Sequence, residues 1–119
     1  MKRMYTYKAT IERVVDGDTF DIIIDLGFKI TTNQRIRLAD INTPETFNVK
    51  KDSEEYQKGM EAKEFVTQRL AQNNNQAMIQ TFKTTEKYGR YIAVVWLGDS
   101  DISLNDELVQ KGYAQKMQY

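Results

Sequence analysis

The chain has 119 residues, with seventeen lysines and arginines balanced by seventeen aspartates and glutamates, no histidine and no cysteine. This length suits one domain, expected over residues 1–119 and able to bury a core without staples. The missing cysteines exclude disulfides and thiolate metal sites, the missing histidines exclude Ser-His triads and the commonest zinc ligand, and the zero net charge leaves polyanion binding to a local patch.

The start, "MKRMYTYKATIERVV", has basic residues but no apolar run behind them, so it reads as strand rather than signal peptide. No stretch approaches the ~20 apolar residues of a membrane span. The expected compartment is the cytosol, or the exterior if a leader was trimmed, with no membrane association. Residues 5–15 are rich in β-branched and aromatic residues and predict a first strand. Asp16-Gly17-Asp18 marks a turn. A second strand is expected over 19–28, ended by Gly27. A third is expected over 34–41, alternating Ile36 and Leu38 against Arg35 and Arg37, and broken by Pro44.

The period then changes. Residues 52–72 carry Tyr56, Met60, Ala62, Phe65, Val66 and Leu70, most on one helical face. Ser53 or Asp52 is the expected cap, and the early glutamates suit a helix N-terminus. Residues 77–82 and 90–97 predict a hairpin around 83–89. A short helix is expected over 103–112, with Ser103 as cap and Gly112 just past its end. Residues 113–119 carry no clear signal. The expected class is α+β, mainly β: a five-stranded barrel of the oligonucleotide-binding (OB-fold) type with two flanking helices.

Three stretches bear charged groups in suggestive order. "VVDGDTF" (14–20) sets Asp16 and Asp18 around a glycine, as either a solvated Asp-Gly turn or part of a hard-cation site. "RIRLADINTPE" (35–45) offers Arg37, whose guanidinium matches phosphate oxygens, and Glu45 behind a rigid proline. Without histidine, a glutamate is the natural candidate to activate water. The bland alternative is an edge strand with exposed charges and a proline stop. "EKYGRY" (86–91) brings Lys87, Tyr88 and Arg90 to a hairpin turn, as a solvated turn or as a base-stacking and phosphate-binding one.

Together with "LNDELVQKGYA", these pieces resemble the staphylococcal nuclease (thermonuclease-like) family, in family order and from about Lys8 to Gln115. The resemblance implies a five-stranded barrel and calcium-dependent cleavage of DNA or RNA, preferentially single-stranded. It implies Asp18 and the Thr43 carbonyl as calcium ligands, with Asp16 behind them. It implies Glu45 as the residue that positions or deprotonates water, and Arg37 and Arg90 as the grip on the scissile phosphate. Lys87 and Tyr88 are implied as substrate contacts, and the chain is expected to act as a monomer.

The family pattern has an aspartate before Thr43, and this chain has Asn42. An amide oxygen can bind calcium but lacks the charge, so weaker binding is expected. Asp40 lies two residues earlier and, on an extended strand, would point to the same side, either to restore a carboxylate near the metal, directly or through water, or simply as a solvated strand acid. The family's best-known enzymes continue into a further C-terminal helix, so a minimal or core-trimmed version is expected here. Two other functions remain open: a catalytically inactive module that binds nucleic acid or protein, and a barrel that binds protein partners alone.

Overall fold

The computed structural model describes residues 5–47, 49–85, 89–98 and 100–117, with backbone alone over 83–85. β1 (Thr6–Asp16), β2 (Thr19–Asp25) and β3 (Thr31–Leu38) form an antiparallel meander. After the two-residue β4 (Ile41–Asn42) come α1 (Glu54–Ala71), β5 (Gln76–Thr85), β6 (Tyr91–Trp96), α2 (Leu104–Gln110) and β7 (Gln115–Lys116). The long strands close into a barrel in the order β1-β2-β3-β6-β5, with β5 pairing back onto β1. Closure is made by the parallel pair β3–β6, which aligns Ile36 with Tyr91 and Leu38 with Ala93. The fold is the OB-type barrel with two helices.

Period-two alternation fills the barrel. Phe20, Ile22 and Ile24 of β2 and Ile36 and Leu38 of β3 point inward, with Ile79, Ala93 and Val95 opposite. The intervening Arg35 and Arg37 of β3 stay on the outer face, as alternation requires. α1 adds Ala62, Val66 and Leu70 from one face, and Phe65 stacks on Tyr113 at 4.7 Å. Ser53, not Asp52, caps α1, its Oγ accepting from the Tyr56 N–H. Gly112, at φ 82°, follows the end of α2 and takes the left-handed turn there. Among the described residues no helix is long and apolar enough to cross a membrane.

Several boundaries differ from the sequence expectation. β2 ends at Asp25, and residues 26–30 form a turn in which Leu26 N–H donates to the Ile30 carbonyl. β3 ends at Leu38 because Asp40 takes a φ of 61°, in the left-handed region. Near the C-terminus, where the sequence carries no clear signal, Gln115 and Lys116 form β7, which pairs with β4, Asn42 opposite Gln115. Two-residue strands carry too few residues to show a period, so neither was visible in the sequence.

Candidate active site

The site begins with irregularity in β1. The register with β2 shifts between Ile11 and Arg13 and again between Val14 and Asp16, and such bulges re-aim the side chains beyond them. Both acids of the Asp-Gly-Asp turn are consequently buried, each 6% exposed. Asp16 Oδ1 accepts from Thr46 Oγ1 at 3.0 Å and from the Gly17 N–H at 3.3 Å. Asp18 Oδ1 accepts from Thr19 Oγ1 at 3.1 Å, and Oδ2 accepts from the Thr43 N–H at 3.2 Å. The Asp18 carbonyl accepts from the Leu38 N–H at 2.8 Å. The first turn thereby anchors both ends of the segment from Leu38 to Thr43. Gly17 lies close beneath its neighbours: a β-carbon there would lie 3.0 Å from both Thr43 Oγ1 and the Ala62 β-carbon, which would have to give by a few tenths of an ångström.

Arg37 projects from the outer face of β3 into this cluster. Its Nη1 donates to the carbonyls of Leu38 and Ile41 at 3.2 and 3.1 Å. Its Nη2 donates to Asp18 Oδ2 at 3.4 Å and to Asn42 Oδ1 at 3.1 Å, and lies 3.9 Å from Met117 Sδ. Glu45 and Arg90 join Asp16, Asp18, Arg35, Arg37 and others around an open pocket of about 380 Å³. Asn42, bonded to Arg37, lines the neighbouring depression with Pro44 and Tyr113.

The crowding of acids perturbs two of them. Burial pushes the Glu45 carboxyl up, and the charges of Asp16, Asp18 and Glu55 add to this, against the opposing pull of Arg37. Burial pushes Asp16 up as well, with the Asp18 charge adding to it, while the Thr46 and Gly17 hydrogen bonds and Lys63 oppose. An upward shift brings Glu45 closer to the range in which a carboxylate works as a proton acceptor near neutral pH.

The structure brings Asp16, Asp18, Arg37, Asn42, Thr43, Glu45 and Arg90 into one neighbourhood. Lys87 and Tyr88 lie outside the described residues. The period-two argument for Asp40 does not hold. With φ at 61° in the turn before β4, it is exposed and off the extended path that would align it with Asn42. Its carbonyl instead accepts from the Met117 N–H at 2.9 Å.

Sequence reasoning passed over Gly59, Thr46 and Asn105. Gly59 in the middle of α1 lets the Pro44–Thr46 loop lie against the helix. A lone glycine in a helical pattern was the available signal. Thr46 holds Asp16. Asn105, 4% exposed, accepts from the Val95 N–H and donates to the Ala39 and Ala93 carbonyls, tying α2 to the segment that leads into the site.

The donor set also bears on calcium. Asp18 Oδ2 and Asn42 Oδ1, from different elements, both face the same cationic nitrogen. Carboxylate and amide oxygens are calcium ligands, so these residues fit a hard cation, with less charge than a pair of carboxylates would supply. Among the described residues no group of three or more Asp, Glu, His or Cys is placed to hold a metal. The remaining ligands would be carbonyls, such as that of Thr43, and waters.

The family profile described as staphylococcal nuclease homologue matches residues 35–119. The chain belongs to the staphylococcal nuclease family. It is 37% identical over 109 residues to a thermonuclease of Staphylococcus intermedius, covering 92% of this chain and 59% of that protein. It is 36% identical over 114 residues to a thermonuclease of Staphylococcus hyicus, covering 96% of this chain and 60% of that one. Endonuclease YhcR of Bacillus subtilis is 31% identical over 111 residues, covering 91% of this chain and 9% of that protein. The chain thus spans about three-fifths of the two thermonucleases. The profile match begins at Arg35 and so contains the Arg37–Glu45 part of the site. The Asp-Gly-Asp turn of this staphylococcal nuclease relative lies before it.

Proposed function

We propose that the protein is a calcium-dependent nuclease that hydrolyses phosphodiester bonds of DNA or RNA, with activity reduced by Asn42. The observation that carries this reading is the convergence of Asp18, Glu45, Arg37 and Arg90 around one open pocket. An arrangement of two guanidiniums facing two carboxylates suits a phosphate that must be gripped while a water is activated beside it. The nuclease names of its relatives and its family membership support the same reading.

Asp18, the Asn42 amide oxygen and the Thr43 carbonyl would hold calcium, whose chemistry when bound is to neutralise phosphate charge and orient a water. Glu45 takes a proton from the attacking water as its oxygen bonds to phosphorus and the bond to the leaving ester oxygen breaks. Arg37 and Arg90 donate N–H groups to the phosphate oxygens, where negative charge grows in the transition state. Lys87 and Tyr88 are assigned to the substrate beyond the scissile phosphate, and single strands are the expected substrate. The amide at position 42 lowers cation affinity because it removes one formal charge from the ligand set.

One observation favours a silent binding module: Arg37 is already engaged by Asn42 and Asp18. The test is cleavage of heat-denatured DNA with calcium and again with chelator, for wild type, Asn42→Asp and Glu45→Ala. Calcium-dependent cutting that Glu45→Ala abolishes and Asn42→Asp increases is expected. Inactivity of both wild type and Asn42→Asp, with single strands held equally well in chelator, would replace the nuclease reading with the binding module.

A further inference from the structure

We infer that Arg37 and the divalent cation compete for the same two oxygens, so that Arg37 sets how tightly the site takes its metal. This rests on the cation reading of the site. Arg37 Nη2 lies 3.4 Å from Asp18 Oδ2 and 3.1 Å from Asn42 Oδ1. A cation bound by both oxygens at roughly 2.3–2.6 Å would sit within a few ångströms of that nitrogen. Two positive centres so close repel strongly in a partly buried site, and Arg37 is 13% exposed and Asp18 8% by side chain.

Arg37 is also held where it is. Nη1 is tied to the carbonyls of Leu38 and Ile41, and Nη2 rests against Met117, the residue following β7. The guanidinium therefore does not leave the two oxygens freely, and cation entry carries the cost of displacing it. Asn42 acquires a second meaning. An aspartate there would bind the cation better but would also hold Arg37 better, so the two positions are energetically coupled.

The experiment is calorimetric titration of calcium into the chelator-stripped full chain, without nucleic acid and at fixed ionic strength. Wild type, Arg37→Gln, Arg37→Lys, Asn42→Asp and the Arg37→Gln/Asn42→Asp double variant are compared. Arg37→Gln should tighten calcium roughly tenfold, while Arg37→Lys, which keeps the charge, stays near wild type. Asn42→Asp should gain more affinity in the Arg37→Gln background than in wild type. A companion measurement needs no variant: the Arg37 guanidinium resonances of the wild type should shift on calcium addition. Equal or weaker binding by Arg37→Gln, or unmoved Arg37 resonances in a wild type that binds calcium, overturns the inference and leaves the nuclease reading standing. Calcium binding by none of the five proteins removes the cation reading and this inference with it.

Discussion

Gly59, in the middle of α1, faces the backbone of Pro44 so closely that a β-carbon there would lie 2.6 Å from the Pro44 carbonyl oxygen. The same atom would lie 2.8 Å from Thr46 Cγ2 and 3.0 Å from the Glu45 carbonyl oxygen. A helical residue with no side chain therefore sets the depth at which the Glu45 loop docks. Glycine costs up to ~1 kcal/mol of helix propensity relative to alanine, a cost offset by this approach.

Gly59→Ala should push the Pro44–Thr46 loop outward and displace Glu45. On the proposed nuclease reading, a shift on the order of 1 Å at Glu45 should lower turnover by roughly a hundredfold. Thermal stability should fall modestly, because the propensity gain of alanine partly offsets the clash. Parallel measurement of kcat and Tm checks this, and unchanged kcat with a well-formed helix would show that the loop tolerates the movement.

Asp16→Asn should stabilise the metal-free protein at neutral pH while impairing the site. The folded-state pKa of Asp16 lies above its usual value of 3.8, so the fold prefers the protonated form. Its contribution to stability is then fully present below the unfolded pKa and is lost as pH rises through the folded pKa. The amide keeps an oxygen to accept from Thr46 and Gly17 without the charge. In chelator, the Tm gain over wild type should be largest near pH 7 and vanish towards acid. A variant less stable than wild type at every pH would show that the charge itself is needed by the fold.

Asn105→Ala should cost at least ~2 kcal/mol, because it strands the buried Val95 N–H and the Ala39 carbonyl, each worth roughly 1–3 kcal/mol, while the Ala93 carbonyl keeps the Ala39 N–H as donor. One of these, the Ala39 carbonyl, precedes the turn that carries Asp40 and leads to Asn42. Urea denaturation should show the loss as a lower midpoint with an unchanged slope. A cost below ~1 kcal/mol would mean that the freed groups find water or other partners.

Much of this protein was legible before its structure. Alternation placed Ile36 and Leu38 inside β3 and Arg35 and Arg37 outside it, because strand periodicity is a local property of the backbone. The apolar face of α1, the Ser53 and Ser103 caps and Gly112 followed from equally local rules. The motifs around Asp18, Arg37 and Glu45 were readable because each spans only a few residues.

Tertiary structure alone decided how those motifs meet. The salt bridge of Arg37 with Asp18 joins residues 19 apart in sequence, and the Arg37–Met117 contact joins residues 80 apart. The bulges of β1 aim the acids, and the left-handed turn at Asp40 takes that residue off the strand. Pairing of β7 with β4 fixes the partner of Asn42. These features have no local signature, because each depends on close approach between segments that only the closed barrel brings together.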